Sequence, residues 1–187
     1  MRKVTYSMST SLDGYMEDPD GNFAWGVPDD DVFDAHLDDL RETGVHLMGR
    51  RLYETMLYWE REEDDPGWSE AEREWAARWS ALPKVVFSST LREVSGNARL
   101  ATGSLAEEIA RLREAPERGV IAVGGTDLAG QAAHLGLLDE YRVTVHPVLV
   151  GGGRSYFPLG TGQVDLELVS TRTFGSGVVN LRHRVRR

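Results

Sequence analysis

The sequence predicts an α/β fold in three layers, with a mixed, mostly parallel central sheet, helices on both faces and an antiparallel hairpin at one edge. Three observations carry this. Up to residue 135, short apolar runs alternate with amphipathic stretches of roughly ten residues, the pattern of strands joined by crossover helices. From residue 140 the pattern becomes a period-two alternation with no helix between strands. Finally, Gly175-Ser176-Gly177 separates two alternating segments as a hairpin turn would.

Taken in order, residues 3–9 alternate Val4, Tyr6 and Met8 with polar neighbours, a strand with one buried face. Ser11-Leu12-Asp13-Gly14 opens a loop rich in Asp, Pro and Gly. Pro28 can serve as the first residue of a helix carrying Phe33, Leu37, Leu40 and Gly44 on one side, with Asp29, Asp30 and Asp31 in its first turn, where acids favour the helix dipole. Residues 45–48 form a short strand, and Gly49-Arg50-Arg51 begins another helix. Residues 58–67 form an acidic connection, and residues 70–81 a helix flanked by Trp68 and carrying Trp75 and Trp79. A strand at 84–87 follows. Ser104 and Glu107 make a capping box for a helix running to about Glu114. The strand 120–123 leads through Gly124-Gly125 into a helix over 126–135. Strands at 141–146, 166–169 and 178–185 complete the chain.

At 187 residues, 41% of them hydrophobic and 27% charged, the chain suits one compact domain spanning residues 1–187. A formal charge of -9 argues against nucleic-acid and anionic-membrane partners, which need a basic face. The absence of cysteine excludes disulfides, thiolate metal sites and cysteine nucleophiles, and five scattered histidines give no metal-ligand spacing, so no metal is expected. With no apolar segment after Met1-Arg2-Lys3 and no apolar run of membrane length, the expected location is the cytoplasm.

Several segments could carry chemistry. A strand ending in Gly124-Gly125 at a helix start lets backbone approach a bulky anion and point N–H donors at it; the bland alternative is a tight turn. Gly49-Arg50-Arg51 could direct amides and guanidinium groups at a phosphate, or be a solvated helix start whose arginines pair with acids. The hydroxyls of Ser88, Ser89 and Thr90 at a strand end could bond a ribose or phosphate, or simply make a turn. Trp25 with Asp30 places an aromatic ring and a carboxylate around a helix start, although Asp29, Asp30 and Asp31 together also match the helix dipole.

The order of these segments resembles the dihydrofolate-reductase-like superfamily, and within it stand-alone proteins similar to the reductase domain of bifunctional riboflavin-biosynthesis enzymes. The resemblance rests on Ser11-Leu12-Asp13-Gly14, Trp25-x-x-Pro28-x-Asp30, Leu47-Met48-Gly49-Arg50 with Tyr53-Glu54, and Val86-Phe87-Ser88-Ser89. It continues through Gly103-Ser104-Leu105 and Val123-Gly124-Gly125 to Asp139-Glu140 leading into Pro147-Val148-Leu149-Val150-Gly151, and so covers the whole chain.

The resemblance implies a reductase moving hydride from NADPH to a small planar heterocycle, with 5-amino-6-(5-phosphoribosylamino)uracil reduction in riboflavin biosynthesis as the nearest named activity. A dihydrofolate reductase is the alternative enzyme, and a non-catalytic protein binding a nucleotide or small ligand is the alternative outside catalysis. By resemblance, Gly49, Arg50, Arg51, Ser88 and Ser89 bind the adenosine 2′-phosphate, and Gly124, Gly125 and Thr126 the pyrophosphate. Asp13, Trp25 and Asp30 meet the substrate, with Asp30 and Asp13 as catalytic candidates. A carboxyl group buried near the hydride acceptor can assist protonation, so Asp30 is expected beneath Trp25 with its pKa raised, while Asp29 and Asp31 face solvent. Two positions depart from the family pattern: Leu52 replaces the threonine usual two residues after the motif arginine, and Val123 replaces the glutamate usual before the glycine pair. A homodimer through the late strands is expected, because the run 178–185 leaves a sheet edge to cover.

Overall fold

In the computed structural model, which describes residues 1–60, 67–157 and 162–187, the chain forms ten strands and five α-helices. The strands are β1 (Val4–Ser11), β2 (Tyr15–Glu17), β3 (Thr43–Gly49), β4 (Lys84–Phe87), β5 (Ala98–Leu100), β6 (Val120–Gly124), β7 (Glu140–His146), β8 (Arg154–Ser155), β9 (Leu166–Thr173) and β10 (Val179–Val185). The helices are α1 (Asp30–Glu42), α2 (Arg50–Met56), α3 (Glu70–Ala81), α4 (Leu105–Glu114) and α5 (Thr126–His134). Eight strands make the central sheet in the order β5-β4-β3-β6-β1-β7-β10-β9, while β2 pairs with β8 apart from it. Strands β5 to β7 along this order run parallel, and β10 is antiparallel to both β7 and β9. The mixed, mostly parallel sheet with an antiparallel edge hairpin is therefore as the sequence predicts.

Alternating side chains send the strands' apolar groups to two faces. One face packs Val4, Tyr6, Leu47, Ile121, Val123 and Val143 against Leu105 and Ile109 of α4 and Leu128, Ala129 and Ala132 of α5. The other packs Met48 and Val86 against Leu37 and Leu40 of α1, Tyr53 of α2 and Trp79 of α3. The residues following β3 and β6 thus leave this sheet toward opposite faces.

Helix boundaries follow their caps. Ser104 and Glu107 exchange the reciprocal bonds of a capping box at α4, and Ser69 and Glu72 do the same at α3. At α1 the structure corrects the sequence reading. Asp29 is the N-cap, its carboxylate accepting from the Val32 N–H at 2.9 Å, so Pro28 lies outside the helix and not at its first position. Gly44 is not helical either but belongs to β3, where an added Cβ would stand 2.0 Å from the Arg118 carbonyl oxygen. Strands β2, β5 and β8 lie outside the strands the sequence predicts. Most of the acidic connection read at 58–67 falls on residues 61–66, outside the described residues; its start, Leu57–Glu60, is a 3-10 turn.

Candidate functional site

The carboxyl ends of β1, β3, β4, β6 and β7 bring Ser11, Gly49, Phe87, Gly124 and His146 to one rim of the sheet. Neighbouring β3 and β6 are followed by α2 and α5 on opposite faces. Such a switch point is where α/β sheets commonly bind ligands.

The two glycines after β6 do different jobs. A Cβ on Gly124 would lie 2.3 Å from Leu52 Cδ2 and 2.6 Å from His46 Cε1, so its small size serves packing of α2 on the sheet. Gly125 has φ +86°, which disfavours any side chain, and nothing stands within 4 Å of the place a Cβ would occupy. It is the N-cap of α5 and supplies no side-chain cap, so the first N–H groups of α5 receive no cap from a side chain there. Thr126 is nearly buried, and its hydroxyl donates to the Ser155 carbonyl at 2.7 Å. Its side chain thus ties β8 to α5. Arg154 of β8 pairs with Asp127 at 3.6 Å and with Glu17, bringing a cation to the same helix start.

On the neighbouring β3, Gly49 is also open, with nothing within 4 Å of a Cβ. Arg50 donates from Nε to Glu54 at 2.8 Å and from Nη1 to Thr90 at 3.1 Å, which aims its guanidinium across the gap between α2 and the turn after β4. The exposed Arg51 has no ion-pair partner among the described residues. Ser88 Oγ accepts from the backbone N–H groups of Thr90 (3.2 Å) and Leu91 (3.0 Å), holding that turn, and Ser89 is exposed. The structure therefore brings Gly49, Arg50, Arg51, Ser88 and Ser89 together, with Gly124, Gly125 and Thr126 along the same rim.

The substrate-side residues sit differently from the expectation. Asp30, the first residue of α1, is exposed and not buried beneath Trp25, and Asp31 after it is exposed as well. Asp29, exposed like its neighbours, is the N-cap carboxylate: Ser176 hydrogen-bonds it and holds its pKa low, helped by the Val32 N–H and by His146. Asp13 is a clamp. It accepts from Ser11 Oγ at 2.6 Å and from the backbone N–H groups of Gly151 (2.8 Å) and Val150 (3.2 Å), and these bonds, Ser11 first, hold its carboxyl below the usual range. Trp25 lies edge-on to His146, ring centroids 5.9 Å apart.

Sequence reasoning missed His146 and His36. His146, at the end of β7, is 4% exposed, and its Nε2 has no hydrogen-bond partner. His36, two turns into α1, is held down to about 4 by burial and by His146. The signal available was an imidazole closing the apolar alternation of residues 141–146, directly before Pro147. Among the described residues no group of three or more His, Cys, Asp or Glu could hold a metal ion, and no helix is long and apolar enough to cross a membrane.

A mixed, mostly parallel sheet with helices on both faces, an antiparallel edge hairpin and a glycine pair at the end of β6 is the architecture of dihydrofolate-reductase-like proteins. The profile of the RibD C-terminal domain matches residues 2–180, and the chain belongs to that family. It is 30% identical over 180 residues to the uncharacterized protein YyaP of Bacillus subtilis (strain 168), covering 96% of this chain and 93% of that one. A crystal structure from Shewanella sp. PV-4, bearing a riboflavin-biosynthesis description, superposes with a TM-score of 0.78 at 22% identity over 100% of both chains. The diaminohydroxyphosphoribosylaminopyrimidine deaminase/5-amino-6-(5-phosphoribosylamino)uracil reductase of Thermotoga maritima superposes with a TM-score of 0.66 at 15% identity. That match takes in 99% of this chain and 57% of the bifunctional one.

Proposed function

We propose that this chain is an NADPH-dependent reductase of a small planar heterocycle, with 5-amino-6-(5-phosphoribosylamino)uracil reduction as the nearest named activity. The observation that carries the reading is the unobstructed backbone at Gly49 and Gly125, beside Arg50 and Arg51 at the switch point of the sheet, on a chain of the RibD C-terminal domain family. The residues fit the cofactor. Backbone N–H groups at Gly125 and the start of α5 can hold the pyrophosphate, and Arg50 and Arg51, with the Ser88–Ser89 turn, can take the 2′-phosphate. When bound, NADPH supplies the hydride. The chain's own part is to fix the two phosphate ends, keep the Leu12–Gly14 loop tied through Asp13 to Val150 and Gly151, and present the heterocycle beside Trp25, Asp29 and His146. Arg50→Ala is expected to weaken NADPH binding tenfold to a hundredfold, about 1.5–3 kcal/mol, and to leave NADH nearly unchanged. Equal losses for both cofactors, measured by fluorescence titration, contradict the assignment.

The exposed Asp30 weighs against a pterin site of the dihydrofolate-reductase kind, which needs that carboxylate inside the cleft. A non-catalytic ligand-binding role is separated by assay: the proposal requires NADPH oxidation with an aminopyrimidine acceptor. We propose further that the protein works in the cytoplasm as a homodimer. Support for the dimer is β9, the terminal strand of the sheet, which leaves Leu168 and Val169 about half exposed. Sedimentation at micromolar concentration checks it, a 20.8 kDa species being the contrary result.

A further inference from the structure

We propose that His146 is the residue that hydrogen-bonds the reducible heterocycle, through the Nε2 now covered by the turn at residues 23–27. This rests on the reductase reading above.

The argument begins with the strand. Residues of β7 alternate between faces, and Glu140, Arg142, Thr144 and His146 all point toward α1. Arg142 is bonded to Glu140 and Asp39, and Thr144 accepts from Asn180 Nδ2 at 2.9 Å, whereas the Nε2 of His146 is buried without a partner. Leaving a buried polar nitrogen unpaired costs free energy, so an unpaired one beside a light surface turn is a candidate place for a partner to arrive. His46 also has an unpaired nitrogen, but Trp79 and Leu52 enclose it within the core, where no ligand reaches.

What covers His146 is light. A Cβ on Gly26 would stand 3.9 Å from Nε2, and the Trp25 indole meets the imidazole edge-on. This turn contains no buried residue, and its hydrogen bonds are local: Gly26 N–H to Phe23 O, Val27 N–H to Ala24 O and Trp25 Nε1 to Asn22 O. Displacing it uncovers Nε2 without breaking a bond to the sheet. The groups facing His146 are Asp29 and His36 from α1, Ser176 from the β9–β10 turn through its bond to Asp29, and Ser11, its register partner on β1. Burial lowers the imidazole's pKa below its ordinary value. A neutral imidazole offers one hydrogen bond at Nε2, as donor or acceptor according to tautomer. This suits an uncharged ring with adjacent N–H and C=O groups, and the indole of Trp25 supplies a flat apolar surface beside it.

The test uses the full chain and 5,6-diaminouracil as probe, titrated with and without saturating NADP+. In protein labelled with nitrogen-15 histidine, the His146 Nε2 resonance is expected to move on binding while that of His46 stays fixed. His146→Gln is expected to weaken the probe about tenfold, the loss of one hydrogen bond, with NADP+ affinity and the unfolding midpoint kept. Probe binding that leaves the wild-type Nε2 resonance unmoved overturns the proposal, even if the variant fails to fold. No binding of the probe to the wild type overturns it as well, since the ligand class is part of it. Failure of NADP+ alone to bind counts against the reductase reading and leaves the His146 result to be judged from the titration without cofactor.

Discussion

At the amino half of β7, Arg142 is buried and every charge around it is answered: Nε donates to Glu140 at 2.6 Å, and Nη1 reaches Asp39 at 3.0 Å and Glu42 at 2.8 Å. Arg182 of β10 joins Asp39, Ser7 donates to the same carboxylate at 3.3 Å, and Lys3 pairs with Glu140 at 3.5 Å. Four residues along the same strand and on the same face, His146 is equally buried and its Nε2 has no partner. The two regions therefore share burial and differ in whether their polar atoms are paired. In the first region burial pushes Asp39 up despite Arg142 and Arg182, and burial opposes the charge on Arg142 until Asp39, Glu140 and Glu42 outweigh it. Those groups hold one another. In the second region the Nε2 of His146 is unpaired.

Breaking the satisfied region should have the largest effect. Arg142→Met strands the carboxylates of Asp39 and Glu140, and a loss of about 3–5 kcal/mol is expected in urea unfolding. A loss under about 1 kcal/mol would mean that water already screens the network.

Acid comes next. His36 and His46 are both held down to about 4, each chiefly by burial, from an ordinary 6.5. The unfolded chain takes up these protons first, so stability is full above about pH 6.5 and falls as pH drops toward 4. Between about pH 7.5 and about pH 5 each histidine should cost on the order of 2 kcal/mol. An unfolding free energy flat across that window contradicts the burial of both rings.

The glycine pair gives a finer contrast. Gly124→Ala forces a methyl group against Leu52 and His46 and should cost about 1–3 kcal/mol through packing. Gly125→Ala meets no atom, so its cost should be backbone strain alone, about 1 kcal/mol, accompanied by weaker NADPH binding. If Gly124→Ala proves the milder of the two by denaturation, the division between a packing glycine and a ligand-facing one is wrong.

Where sequence signals were local, the reading held. The helix Glu70–Ala81, the strand Lys84–Phe87, the capping box at Ser104 and the turn at Gly175-Ser176-Gly177 need only neighbours a few residues away. The short β5 has three residues and no periodicity, and β2 is defined by a partner, β8, more than a hundred residues on, so neither leaves a local trace. Asp29, Asp30 and Asp31 are all exposed at the start of α1, and three adjacent acids give no local sign of which one caps the helix. His146 meets Trp25 and His36 only because β7 lies beside β1 under α1. A histidine described as scattered along the chain carries no hint of that meeting.

The central claim is that the open rim binds the cofactor while the paired layer holds the fold, and unfolding free energy with and without NADPH tests it most directly. At about a hundredfold excess over its Kd, NADPH should stabilise the wild-type protein by about 2.7 kcal/mol. Arg182→Met, though less stable, should keep that increment, and Gly125→Val should lose most of it. No increment in the wild-type protein, or one that Gly125→Val keeps and Arg182→Met loses, contradicts the account.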